Sequence, residues 1–108
     1  MDIKDIILVL ELHKQTNYKY IEEALNIVKK KKLKQGEINL SRDIYPVIAK
    51  KFKVTEAAIS SAIIRALFNA YYKMENRSVY IDLFGHDLRL TPLKFLNQLQ
   101  PYLIKKKR

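Results

Sequence analysis

The chain contains no cysteine and no tryptophan, only two glycines and three prolines, and far fewer acidic than basic side chains. Without cysteine, disulfide frameworks, thiolate zinc sites, iron–sulfur clusters and cysteine nucleophiles are all excluded, so the fold must stand on packing. With so little glycine and proline, few positions punctuate a helix. The longest uninterrupted apolar stretch, Ile6 to Leu10, covers five residues, against the roughly 20 that a membrane span requires. The start Met1-Asp2-Ile3-Lys4-Asp5 also lacks the basic region and cleavage site of a signal peptide. These absences predict a cytoplasmic protein that does not cross a membrane, and the second helix lacks the Trp- and Phe-rich apolar face of an interfacial anchor, so no membrane binding is expected.

What is present is positive charge. In 108 residues there are 21 Lys and Arg against 11 Asp and Glu, a formal balance of +10. One domain is expected at this length, residues 1–104, followed by a mobile basic tail, 105–108. The 48% hydrophobic content is enough for a core and separates the chain from disordered polyelectrolytes. A basic folded module points to nucleic acid. Yet lysine outnumbers arginine 16 to 5 and Ile, Asn and Tyr are frequent, the composition that an A·T-rich genome gives to any protein. The positions of the charges therefore matter more than their sum.

Apolar residues recur at helical spacing nearly throughout, which predicts an all-α bundle of about six helices. Asp2 caps a first helix that carries Ile3, Ile6, Ile7 and Leu10 on one stripe and ends near His13. Asn17 caps a second, with Tyr20, Ile21, Ala24, Leu25 and Val28 inward, Glu22 and Glu23 in its first turn and Lys29 to Lys32 at its end; both charge placements suit the helix dipole. Gly36 ends that region and Ser41 caps a third helix, with Pro46 in its first turn and Ile44, Ile48, Ala49 and Phe52 inward. After the turn Lys53-Val54-Thr55, Thr55 caps a long fourth helix from Glu56 to about Lys73. Past Glu75-Asn76-Arg77, a short helix spans Ser78 to Phe84 and closes at Gly85. His86 to Leu90 is an irregular connector, and Thr91-Pro92 opens a last helix that Pro101 kinks or shortens.

The third and fourth helices, joined by a three-residue turn, read as a helix–turn–helix. DNA readers of this kind aim the exposed face of the second helix into the major groove. At about 100° per residue, Ile59, Ala62, Ile63, Ala66, Leu67 and Ala70 share the inner face. Ala57, Ser60, Ser61, Ile64, Arg65 and Phe68 fall opposite. Ser60, Ser61 and Arg65 can donate to base edges, and Ala57 and Ile64 can only offer apolar contact, for example to a thymine methyl. Lys50, Lys51, Lys53 and Thr55 crowd the turn where a DNA backbone would pass, and Lys105 and Lys106 of the tail add further phosphate contacts.

The run Leu40-Ser41-Arg42-Asp43-Ile44-Tyr45-Pro46-Val47-Ile48-Ala49-Lys50-Lys51-Phe52, then Thr55, Ala62-Ile63, Ala66 and Leu83-Phe84-Gly85, resembles the C-terminal DNA-binding effector domain of the stage-zero-A sporulation response regulator. The core Tyr45-Pro46-Val47-Ile48-Ala49-Lys50-Lys51-Phe52 is its most specific part, and Asn17 to Leu25 is similar to the family's second helix. The resemblance implies a six-helix domain that binds promoter sequences as tandem or paired copies through its third and fourth helices. It also implies a recognition helix rich in Arg, Glu and His, where this chain has Ser60, Ser61 and Ile64, with Phe68 in place of an acidic residue. The family's phosphoacceptor receiver domain has no room in 108 residues, so a free-standing effector is expected, a small DNA binder or accessory factor.

Ile64, Phe68 and Tyr72 line up on the face turned away from the core. Either the first or last helix folds over them, or they form a homodimer seam or a docking site for another protein. Lys29 to Lys32 with Lys34 can be a solvated helix end or a phosphate-contact patch. His13 and His86 lack metal-ligand spacing, Asp82 and Asp87 beside His86 are ordinary helix-flanking acids, and no phosphate loop or nucleophile elbow occurs. The expectation is therefore a non-enzyme without cofactor, metal or small-molecule substrate. Its partner is double-stranded DNA, bound as a homodimer or in tandem, and the rival reading is a protein-interaction module that kept the fold and lost DNA reading.

Overall fold

Residues 2–75, 77–85 and 90–104 are described by a computed structural model, and among them the helical spacing of the sequence becomes six α-helices with no strand. They are α1 (Ile3–Val9), α2 (Tyr18–Lys31), α3 (Tyr45–Phe52), α4 (Glu56–Lys73), α5 (Ser78–Phe84) and α6 (Pro92–Leu103). The all-α class and the helix–turn–helix pair stand as expected. The basic tail 105–108, His86 and Asp87 in the connector, and Asn76 lie outside the described residues.

Three of the anticipated caps form. The Asp2 carboxylate accepts from the Asp5 N–H at 3.1 Å, the Thr55 hydroxyl from Ala58 N–H at 3.1 Å, and the Thr91 hydroxyl from Lys94 N–H at 3.2 Å. Other boundaries differ, each for a local reason. The first helix stops at Val9, well before His13, because Glu11 takes a left-handed φ of 56° and a short 3₁₀ turn, Leu12–Lys14, follows. Asn17 stands at the start of α2, as expected, but with φ 67° and no capping bond, and in a helix that begins at Tyr18 the residues Glu22 and Glu23 lie beyond the first turn.

The C-terminus of α2 closes on Lys32, at the lysine run expected to end it, and Gly36 lies beyond in the loop. Lys32 is left-handed at φ 51°, and its N–H and that of Leu33 satisfy the carbonyls of Lys29 and Val28 at 3.3 and 3.1 Å. A lysine thus fills a position usually given to glycine. Upstream of α3 the cap is Asn39, not Ser41: its side-chain oxygen accepts from Arg42 N–H at 3.0 Å, and the Asp43 carboxylate returns the bond to Asn39 N–H at 3.1 Å. This reciprocal box is one residue longer than usual because Leu40–Ile44 forms a wide turn in which Tyr45 N–H reaches the Leu40 carbonyl. Pro46 follows directly on this turn, in the first turn of α3, and has no N–H to give the Arg42 carbonyl.

Pro101 does not end α6, which continues to Leu103. The carbonyl of Asn97, four residues earlier, lacks its helical donor and accepts instead from the Gln35 side chain at 2.8 Å, while Asn97 Oδ1 takes Gly36 N–H at 2.9 Å. The proline is tolerated because a loop supplies the missing bond.

The helices share one core. Ile6, Leu10, Leu12, Ile21, Leu25, Val28, Ile44, Ile48, Ile59, Phe95, Leu96 and Leu99 are all under 2% or at most 2% exposed. Each aliphatic side chain so buried contributes roughly 1.5–3 kcal/mol. An aromatic row of Tyr71, Tyr80, Phe84 and Phe95, with ring centroids 4.7, 4.9 and 5.6 Å apart in turn, ties α4 to α5 and α6. Arg77 fastens the end of α4 by donating to the Tyr71 and Tyr72 carbonyls at 3.1 and 3.2 Å.

Candidate nucleic-acid interface

The turn between α3 and α4 is set by its first and last residues. Lys53 is left-handed at φ 56°, and Val54 N–H reaches back to the Ala49 carbonyl at 3.2 Å, which closes α3. Thr55 then caps α4, so its hydroxyl oxygen is already engaged in holding the helix start. These local bonds fix the angle at which α4 leaves the turn. Its inner face is secured by Ile59, Ile63, Ala66, Leu67 and Ala70, all buried, with Ala62 partly covered.

Among the described residues most of the outer face of α4 is exposed. Ala57, Ser61, Ile64, Arg65, Phe68 and Tyr72 are exposed and Ser60 is half-buried. Ile64, Phe68 and Tyr72 retain 49%, 52% and 50% of their accessible surface, so neither the first nor the last helix folds over them. Both helices spend their apolar stripes on the core: α1 buries Ile3, Ile6 and Ile7, and α6 buries Phe95, Leu96, Leu99 and Leu103. The Phe68 and Tyr72 rings pack on each other at 4.5 Å, and an apolar groove of about 230 Å³ opens beside them between Ile64, Leu67, Tyr80, Leu90 and Pro92.

The lysines of the turn are not equivalent. Lys50 and Lys53 are exposed. Lys51 reaches Glu23 of α2, Nζ to Oε2 at 2.8 Å, and lies 5.8 Å from the centroid of the Phe52 ring, which itself packs edge-on to Tyr20 at 5.1 Å. Lys105 and Lys106 belong to the tail outside the described residues.

On the other flank of α4 a polar cleft of about 350 Å³ runs between the helix and the segment before α2. Arg65, Asn69 and Lys73 face Lys14, Gln15, Thr16 and Asn17 across it. Lys14 also pairs with Glu11 at 2.7 Å, and this hydrogen bond to the ammonium holds the Glu11 carboxyl below its usual range and the Lys14 pKa above its own. The sequence reading assigned Arg65 to the outer face and missed the rest of this group. The spacing of Arg65, Asn69 and Lys73, four residues apart, was the available signal. Among the described residues no three His, Asp or Glu side chains gather as metal ligands would, and no helix is long and apolar enough to cross a membrane.

Two helices joined by a capped three-residue turn, the second with its outer face bare, define a helix–turn–helix domain. The family model described as sporulation initiation factor Spo0A C terminal matches residues 3–100, and the chain belongs to that family. In the sporulation regulator this domain binds DNA, and the family is one of regulator domains rather than enzymes. Searches against curated proteins and against solved structures return no match.

Proposed function

We propose that this chain is a sequence-specific binder of double-stranded DNA that acts in the cytoplasm as a transcriptional regulator or DNA-binding accessory factor. The observation that carries the reading is the bare outer face of α4 directly beside the exposed lysines of its turn. A B-form major groove admits one α-helix. In this reading α4 enters it with Ala57, Ser60, Ser61 and Ile64 toward base edges, and Lys50, Lys51, Lys53 and Thr55 lie along the phosphates. Hydroxyls and methyl groups dominate that face, so the sequence preference differs from one read by long charged side chains. Family membership supports DNA as the partner. Mobility-shift titration of a duplex pool tests it: wild type shifts the pool with an affinity that falls as salt rises, and Lys50→Ala binds every duplex more weakly. No salt-dependent shift would remove DNA from the account.

Copies are expected to bind as a homodimer or in tandem, with Phe68 and Tyr72 as the seam. The exposure of those two rings favours this. The same exposure favours the rival function, a protein-interaction module without DNA reading, and the duplex titration separates the two.

A further inference from the structure

The cleft on the flank of α4 is a cationic pocket built of hydrogen-bond donors. Arg65 and Lys73 are exposed, and among the described residues no carboxylate or carbonyl takes up either head group. Gln15, Asn17 and Asn69 add amides and Thr16 a hydroxyl, and Lys14 adds a third cation, partly offset by Glu11. Such a set matches the oxygens of a phosphate group, by charge and by the number of N–H donors. Its volume of about 350 Å³ leaves room for the sugar as well as the phosphate. Arg65 lies one turn beyond Ser61 on α4, so the cleft is continuous with the outer face of the helix and borders any duplex that the face meets.

We infer that this cleft grips a phosphodiester of the DNA strand flanking the major groove, so that Arg65, with Lys73 and Lys14, is a backbone anchor rather than a reader of bases. The inference rests on the DNA-binding reading above. It divides the face by chemistry: the hydroxyl and methyl side chains of α4 meet base edges, while the guanidinium and ammonium groups on its flank hold register without carrying sequence information.

The test is the salt dependence of duplex binding for wild type, Arg65→Ala, Lys73→Ala and Arg65→Lys over a panel of sequences. Removing one phosphate contact lowers the slope of log affinity against log salt by about 0.9, so between about 50 and about 200 mM salt each alanine variant, which takes away part of the shared contact, should lose up to about 3.5-fold less affinity than wild type. The ranking of sequences should stay that of wild type, and Arg65→Lys should keep the slope. An Arg65→Ala variant that reorders the sequences at unchanged slope would make Arg65 a base reader and overturn the inference. Side-chain amide signals of Gln15 and Asn69 should shift with duplex and not with inorganic phosphate alone; equal shifts with inorganic phosphate would assign the cleft to a free anion. Wild type that binds no duplex fails the DNA reading itself, an outcome read before any variant is made.

Discussion

Lys51 of the helix–turn–helix turn is tied to Glu23 of α2, Nζ to Oε2 at 2.8 Å. The Lys51 side chain is 57% exposed and that of Glu23 17%, so the pair adds little to stability, on the order of 0–1 kcal/mol. Its consequence is for DNA. A phosphate must compete with Glu23 for Lys51, whereas Lys50 and Lys53 have no such rival among the described residues. Glu23→Gln should therefore bind duplex more tightly at low salt, with a slope steeper by up to about 0.9. The gain should vanish when Lys51→Ala is added, and a gain that survives would place its origin elsewhere.

Thr55 holds the start of α4 through its bond from Ala58 N–H. Thr55→Ala should cost about 1 kcal/mol in denaturant unfolding, the usual cost of losing such a cap. Thr55→Ser, which keeps the hydroxyl, should restore most of it. An alanine variant as stable as wild type would show that the cap is idle.

Acid should act through Asp43. The Arg42 guanidinium at 3.0 Å, together with Asn39 N–H, holds its carboxyl below the ordinary range. A depressed folded value means that this contribution is complete above the unfolded value of about 4 and is lost as pH falls through the folded one. Asp43→Asn should be less stable than wild type at neutral pH, with the gap closing below about pH 4. A gap independent of pH, measured in an unfolding series, would contradict this.

Phe68 is an exposed aromatic with no part in the core. Phe68→Ser should cost about 1 kcal/mol, from the half-covered ring and its contact with Tyr72, while weakening self-association in sedimentation. Unchanged self-association would move the seam away from α4.

Much of this was legible in the chain itself. The long α4 appears with both its ends where Thr55 and the apolar spacing place them, because local cap and tertiary burial agree. The misreadings fall where a residue does what its type seldom does. Glu11 takes left-handed backbone, which sequence reading reserves for glycine, so periodicity alone runs the first helix on to His13, and Asn17, also left-handed, makes no capping bond. Asn39 stands in place of Ser41 as cap because a wide turn, Leu40–Ile44, comes between it and α3. Pro101 stayed inside α6 through a bond from Gln35, 62 residues away in sequence from the Asn97 carbonyl it serves, and no local pattern announces that partner. In the candidate site, the outer face of α4 followed from periodicity alone, while the cleft around Arg65 needed the 14–17 segment brought alongside by the fold.

The central claim, that α4 and its basic turn read duplex DNA, is tested most directly by selecting from a randomised duplex library with wild-type protein at two salt concentrations. Enrichment of a defined sequence is expected, with log affinity falling linearly in log salt. A library returned unenriched, with no salt-dependent retention at either concentration, would contradict it.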